Sequence, residues 1–309
     1  PEVLFIVAAL AKIGAIASLI NSNQRASILA NSINQKNNGY FIVGEELIDA
    51  FETIKSDIQS PSKKVFIGIH DKKDTTLPSH YISASNIIPK LSKTNIKGVR
   101  EIQSGAPFAF IFTSGTTGMP KASIQTHRKW LSCMYWFGKV NLGLNSKDVI
   151  YVSIPFYHSN ALLIAWSSSA ASGAAMAIRR KFSASEFWKD AIQYKATAFI
   201  YIGDICRYLY NTPASSLDTQ HHINKIIGNG LRPDIWKGFK ERFNIKEVYE
   251  FYASSEGNMT FTNTLNLDNT VGWCATKFEI IEYDREKGEP IYDRKKKKKK
   301  VKWGEVGLM

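Results

Sequence analysis

Residues 108–121 read Phe-Ala-Phe-Ile-Phe-Thr-Ser-Gly-Thr-Thr-Gly-Met-Pro-Lys. A five-residue apolar run, the length of a buried strand, passes into a loop of hydroxyls and glycines. Gly115 and Gly118 let the backbone turn tightly, so that amides can point at phosphate oxygens. Thr113, Ser114, Thr116 and Thr117 add hydroxyl donors, and Lys121 adds a mobile positive charge. Helix-like sequence follows, from about His127 to Val140. The stretch is built for a polyphosphate. It is not a Walker A loop, because Pro120-Lys121-Ala122 stands where that loop ends in Gly-Lys-Ser/Thr.

Working outward, apolar runs of strand length recur at 65–69, 149–154, 174–178, 198–202, 224–228 and 248–252. Helix-like stretches separate them, near 159–172, 182–194, 203–210 and 233–243. In the second of these Phe182, Phe187 and Ile192 share a face, with Ser183 or Ser185 as the N-cap. Apolar strands alternating with helices predict an α/β fold: mostly parallel sheets flanked by helices. Ligands in such sheets sit beyond the carboxyl ends of the strands. After about residue 270 the alternation gives way to meander-like β sequence. The predicted organisation is an α/β core over 1–270 and the start of a β-rich subdomain over 271–309.

The chain has 309 residues, 44% hydrophobic and 22% charged, which suits a globular protein. Its formal charge is +13, from 40 Lys and Arg against 27 Asp and Glu. One lysine run, 295–300, supplies much of that excess, so the charge does not point to a nucleic-acid partner. The run reads as a solvated loop between strands, with an anionic membrane surface as the alternative contact. Cys133, Cys206 and Cys274 are widely separated and show no metal-site spacing, which fits reduced thiols. Residues 3–20 are apolar apart from Lys12 and Ser18. The central lysine and the Ala- and Gly-rich composition predict a buried helix, not a membrane span or signal peptide. The chain starts at Pro1 and stops inside β-like sequence at Met309, and both ends read as cuts through a larger chain.

The nine residues 113–121 resemble the phosphate-loop signature of the adenylate-forming superfamily, which includes acyl-CoA synthetases, adenylation domains and luciferases. Residues 154–158, Ile-Pro-Phe-Tyr-His, are similar to its Pro-x-x-His segment. Residues 228–236, Gly-Asn-Gly-Leu-Arg-Pro-Asp-Ile-Trp, resemble the adenine-side loop in the form found in fatty acid transport proteins and very-long-chain acyl-CoA synthetases. Residues 251–258, Phe-Tyr-Ala-Ser-Ser-Glu-Gly-Asn, resemble that subfamily's aromatic-Gly-x-Thr/Ser-Glu motif, and 179–190 and 201–213 also resemble the subfamily.

The resemblance covers essentially the whole chain and implies part of the N-terminal domain of such an enzyme. It implies an ATP-dependent fatty acid:CoA ligase that forms an acyl-adenylate, with ATP, Mg²⁺ and CoA, coupled to fatty acid uptake and activation. Thr113, Ser114, Gly115, Thr116, Thr117, Gly118 and Lys121 map to the phosphates. Ser255 maps to the α-phosphate, and Glu256 to the magnesium ligand. Gly228, Asn229, Gly230 and Tyr252 map to the adenine, and His158 to the carboxylate and α-phosphate. Lys121, His158, Ser255 and Glu256 are thus the candidate catalytic residues. A general base is not required, because a fatty acid is already ionised at neutral pH. The implied partners are a long-chain or very-long-chain fatty acid, ATP, CoA and a peripheral membrane contact, on the intracellular side.

Two departures stand out. Ala253 replaces the usual glycine; if that position needs positive φ, a Cβ costs about 1–2 kcal/mol. The family's ribose-binding Asp, its hinge, and the small C-terminal domain with its lysine find no match within 1–309. A truncated, non-catalytic nucleotide- or fatty-acid-binding protein is therefore the alternative, and an aryl or bile acid the alternative substrate.

Overall fold

The computed structural model describes residues 2–36, 39–59, 65–69, 77–96, 101–114, 118–257 and 259–309. The predicted loop residues Gly115, Thr116 and Thr117, and the side chain of Ser114, lie outside the description.

The core is a six-stranded sheet. Its strands lie in the spatial order Thr260–Thr262, Glu247–Ala253, Lys225–Asn229, Ala198–Ile202, Val149–Val152, Ala175–Ile178. Every neighbouring pair is parallel except the first, where the short edge strand runs antiparallel. The central strand Ala198–Ile202 reads Ala-Phe-Ile-Tyr-Ile and is buried almost throughout, as a parallel strand covered on both faces must be. Phe199 packs edge-on against Phe187 at 5.0 Å, and Trp188 stacks on His221 at 4.3 Å. Phe187 comes from the helix Phe187–Gln193, whose N-cap is Glu186 with no side-chain capping bond, not Ser183 or Ser185. Those two hydroxyls bond to each other instead, at 3.2 Å, because both lie short of the first helical turn.

Strand order matters for function. The chain lays down Val149–Val152, moves out to Ala175–Ile178, then crosses back to Ala198–Ile202 and onward. Order therefore reverses between Val149–Val152 and Ala198–Ile202. Beyond the carboxyl ends of those two strands a crevice opens without any special side chain being needed.

A second layer holds the strand Ala17–Leu19, parallel to Pro107–Ser114, which pairs antiparallel with Pro120–Thr126. Beyond Gly118 the chain thus continues as a second strand of a β-hairpin, antiparallel to Pro107–Ser114, before any helix begins. The pattern Lys121-Ala-Ser-Ile-Gln-Thr alternates and extends the ladder before the helix His127–Cys133 begins. Thr126 caps that helix, its Oγ1 accepting from Lys129 N at 3.2 Å. The helix continues as a π-helical stretch, Met134–Leu142. Gln35 docks on the hairpin edge, accepting from Ala122 N at 3.1 Å and donating to the Pro120 carbonyl.

A third sheet, Tyr40–Gly44, Val65–Ile69 and Tyr81–Ser83, is all parallel and has its own apolar cluster around Phe41, Phe51 and Phe66. The apolar N-terminus forms the helix Glu2–Lys12 and then the strand Ala17–Leu19, so residues 3–20 are not one buried helix. Only Leu4 and Val7 of that helix are buried, while Phe5 is 73% exposed. Gly14, at φ +74°, breaks the helix so that the next residues can reach the ladder. Residues 271–309 are joined by scattered bridges and one short pair, Tyr283–Asp284 with Glu289–Pro290. Among the described residues no helix is long and apolar enough to cross a membrane.

Phe199→Ala should destabilise the chain by about 3–5 kcal/mol, because the ring is fully buried at the sheet centre. Urea unfolding of wild type and variant measures this, and a loss under about 1 kcal/mol would mean that the ring is not part of a tight core.

Candidate active site

The crevice at the strand reversal is a cleft of about 760 Å³, bordered by His158, Asn160, Asn229, Ser255, Lys129 and Trp273 among others. Three of the residues picked out by sequence, His158, Asn229 and Ser255, therefore face one space. Ser159 Oγ lies 3.4 Å from Ser255 Oγ, joining segment 154–158 to segment 251–258.

Phosphate-loop residues reach the site from the hairpin. Thr113 Oγ1 donates to Glu256 Oε1 at 3.1 Å, across 143 residues of chain. Lys121 is the cross-strand partner of Thr113, so the two share a sheet face, and the lysine is exposed. Gly118, at φ +84°, closes the loop where an L side chain would be strained. The two halves are fastened at one atom. The Ser255 carbonyl accepts from Ser123 Oγ at 2.7 Å, Lys129 Nζ at 2.9 Å and Gln125 Nε2 at 3.2 Å. All three donors sit on the hairpin's second strand or the helix after it.

The loop after Lys225–Asn229 is held from beneath. In register, Gly228 lies between Tyr201 and Glu250 on neighbouring strands. A Cβ at Gly228 would fall 2.3 Å from the Tyr201 carbonyl oxygen and 2.6 Å from its ring. Glycine leaves room for the Tyr201 hydroxyl to reach across and donate to Glu250 Oε2. Glu250 also accepts from the N–H groups of Gly230 and Leu231. Asn160 Nδ2 donates to Asn229 Oδ1 at 2.8 Å and to the Tyr201 carbonyl at 3.2 Å, fixing the rim of the same loop.

Electrostatics separate two groups. His158 stands exposed at the cleft mouth, yet the protein packed around it pushes its pKa below the usual imidazole value. Its ring is consequently mostly neutral at pH 7. Glu250 is 4% exposed, and burial pushes its carboxyl up to about 7 against the pull of its three donors.

Tyr252 is exposed, its ring 6.2 Å from Phe261, and it does not border the cleft. Ala253 closes its strand opposite Thr260 without a positive φ, so the glycine it replaces is not needed here for backbone conformation. Glu256 is exposed and accepts one hydroxyl among the described residues, leaving hard oxygen lone pairs over. One such carboxylate suits Mg²⁺, which takes one or two carboxylates plus phosphate oxygens and water. No group of three or more His, Cys, Asp or Glu able to hold a metal occurs among the described residues.

Sequence reading missed Asn160, Glu250, Lys129, Ser123 and Gln125. One signal was available: Glu250 is the single charge inside the apolar run Val-Tyr-Glu-Phe-Tyr at 248–252. A lone acid on a buried strand must have partners.

Residues 1–306 match the model of a family described as AMP-binding enzyme. The medium/long-chain-fatty-acid–CoA ligase FadD6 of Mycobacterium tuberculosis is 39% identical over 310 residues, covering 100% of this chain and 50% of the relative. Long-chain fatty acid transport protein 2 of Rattus norvegicus is 34% identical over 322 residues, again 100% against 50%. The chain spans about half the length of the curated relatives it matches. The anthranilate CoA ligase AuaEII, solved with anthranoyl-AMP, superposes at TM-score 0.81 with 17% identity, over 99% of this chain and 57% of that one. ATP-bound MatB of Rhodopseudomonas palustris superposes at 0.75 with 17% identity, over 99% and 56%. At these identities the superpositions establish the fold.

Glu250 gives a stability test. Its folded pKa, about 7, lies above the ordinary carboxyl value of 4.5. Between those values the native state holds more protons than the unfolded state, so stability falls as pH rises through the window, by about 3 kcal/mol in total. His221, lowered to about 4 by burial, has the opposite slope below 6.5. The difference between wild type and Glu250→Gln isolates the glutamate. Melting temperatures from pH 5 to 8 should fall more steeply for wild type, and equal slopes would show that Glu250 does not titrate there.

Proposed function

The chain belongs to the AMP-binding enzyme family, and on that premise we propose that its protein is an ATP-dependent fatty acid:CoA ligase. The observation that carries the reading is the meeting of Thr113 and Glu256 beside the cleft. It joins the polyphosphate loop to a carboxylate suited to magnesium. The fatty-acid ligase and transport names among the relatives favour a long-chain or very-long-chain acid.

In this reading a carboxylate oxygen of the acid attacks the α-phosphorus of ATP. The bond from that phosphorus to the bridging oxygen breaks, pyrophosphate leaves, and an acyl-adenylate remains. The CoA thiolate then attacks the acyl carbon, AMP leaves, and acyl-CoA forms. Such phosphoryl transfer is catalysed mainly by positioning and charge stabilisation. Thr113, the loop through Gly118, and Lys121 take the β- and γ-phosphates, and Ser255 the α-phosphate. Glu256 would hold Mg²⁺, which when bound neutralises phosphate charge. Gly228, Asn229 and Gly230 flank the adenine, and the exposed ring of Tyr252 is the aromatic we assign to its face. His158, neutral at pH 7, donates a hydrogen bond to the incoming carboxylate without adding charge. Residues 271–309 begin the β-rich subdomain that follows the core, and the protein touches a membrane peripherally.

Fatty-acid-dependent exchange of labelled pyrophosphate into ATP tests the proposal in the full-length protein, because a pure binder cannot return label to ATP. Exchange with long-chain but not aryl acids is expected, and none with either would overturn the ligase reading. Glu256→Gln should lower exchange on the order of a hundredfold. His158→Ala should slow adenylation more than it weakens ATP binding. Unchanged turnover in that variant removes His158 from the site.

A further inference from the structure

We propose that Glu250 is a positioning residue for the adenine end of the nucleotide: its ionised carboxylate fixes loop 228–231 in the conformation that receives the base. The inference rests on the nucleotide reading above.

Every partner of this carboxylate is a donor. Gly230 N–H and Leu231 N–H approach from the loop, and the Tyr201 hydroxyl from the adjacent strand. An ionised carboxylate only accepts, so the surroundings are built for that form. The two amides lie just past the end of the parallel ladder, which stops at Gly228 on one side and Asn229 on the other. Without the carboxylate they would be orphaned next to a cleft. Gly230 sits at φ +87°, a conformation that no strand partner imposes. The glutamate supplies the constraint that the ladder no longer gives. Asn229, between Gly228 and Gly230, is thereby aimed at the cleft, where Asn160 steadies it.

Two other titratable groups packed against Glu250 stay un-ionised near neutrality. Tyr201 and Cys206, from the central strand and the helix Gly203–Tyr210, are both pushed well above their usual pKa by burial. Arg232 and Asp234 pair with each other on the surface. Burial lowers the pKa of His158, which borders the same cleft, and Glu250→Gln keeps that histidine, so the difference between wild type and variant isolates Glu250.

A merely structural Glu250 would make nucleotide affinity and stability change together. A positioning role separates them. As pH rises through about 7, ionisation lowers fold stability but tightens the loop. Adenosine is the probe, because it carries no phosphate that titrates in this range. Wild type should bind adenosine about tenfold more tightly at pH 8 than at pH 6 while its melting temperature falls. Glu250→Gln should lose about tenfold in adenosine affinity at pH 8 and show little pH dependence. Tyr201→Phe, which leaves both loop amides on the carboxylate, should melt earlier yet keep adenosine affinity within about twofold. Adenosine affinity that is flat with pH in wild type, or unchanged in Glu250→Gln, overturns the inference. If Glu250→Gln does not fold, the wild-type pH series and Tyr201→Phe decide alone. Wild type binding neither adenosine nor ATP would overturn the nucleotide reading itself.

Discussion

One carbonyl oxygen fastens the two layers at the site. Ser255 offers its oxygen to a hydroxyl, an amide and an ammonium, all from the hairpin strand Pro120–Thr126 or the helix it feeds. Ser123 and Gln125 are buried, so their donors have no water to fall back on. Gln125 Nε2 also donates to Ser123 Oγ, and Lys129 Nζ to the Ile124 carbonyl, so the acceptor closes a small polar network between the layers. The next residue along is Glu256, which meets Thr113 from the hairpin's first strand. The position of the acidic side chain relative to the loop is therefore set by backbone anchoring next to it, and not by the single, exposed Thr113 contact.

The same economy appears at the sheet's carboxyl ends. Tyr201, Gly228 and Glu250 form a row across three strands, and the missing Cβ in the middle lets the outer two side chains touch. A buried carboxylate costs stability, since burial raises its pKa to about 7 even against the pull of three donors. A leucine there would pack more cheaply. Retaining an acid where an apolar side chain would stabilise is the pattern expected beside functional sites, where local rules are broken for a gain elsewhere.

Most of the fold was legible because parallel strands covered on both faces are nearly unbroken apolar runs. The runs at 149–152, 198–202 and 225–228 could hardly be anything else. Pro120–Thr126 was not legible, because it alternates over a half-buried ladder and its polar residues read as loop. The N-terminal segment misled for the opposite reason: apolar composition does not reveal that Gly14 turns the chain into a strand. At the site, the residues with a motif around them were legible, and those that act by supporting others were not. Asn160, Lys129 and Ser123 carry no spacing signature, since their partners are 69, 126 and 132 residues away.

The hairpin correction changes the electrostatic argument. In a strand–loop–helix phosphate site, the helix N-terminus brings a fixed partial positive charge to the anion. Here the chain leaving the loop is a strand, and strands contribute little net dipole. The helix His127–Cys133 starts only after seven residues of strand, so its dipole is spent elsewhere. In the proposed ligase, the charge of a triphosphate would then have to be met by hydroxyls, by the exposed Lys121 and by a cation at Glu256. A site of this design depends more steeply on its cation and its lysine than a helix-backed loop does.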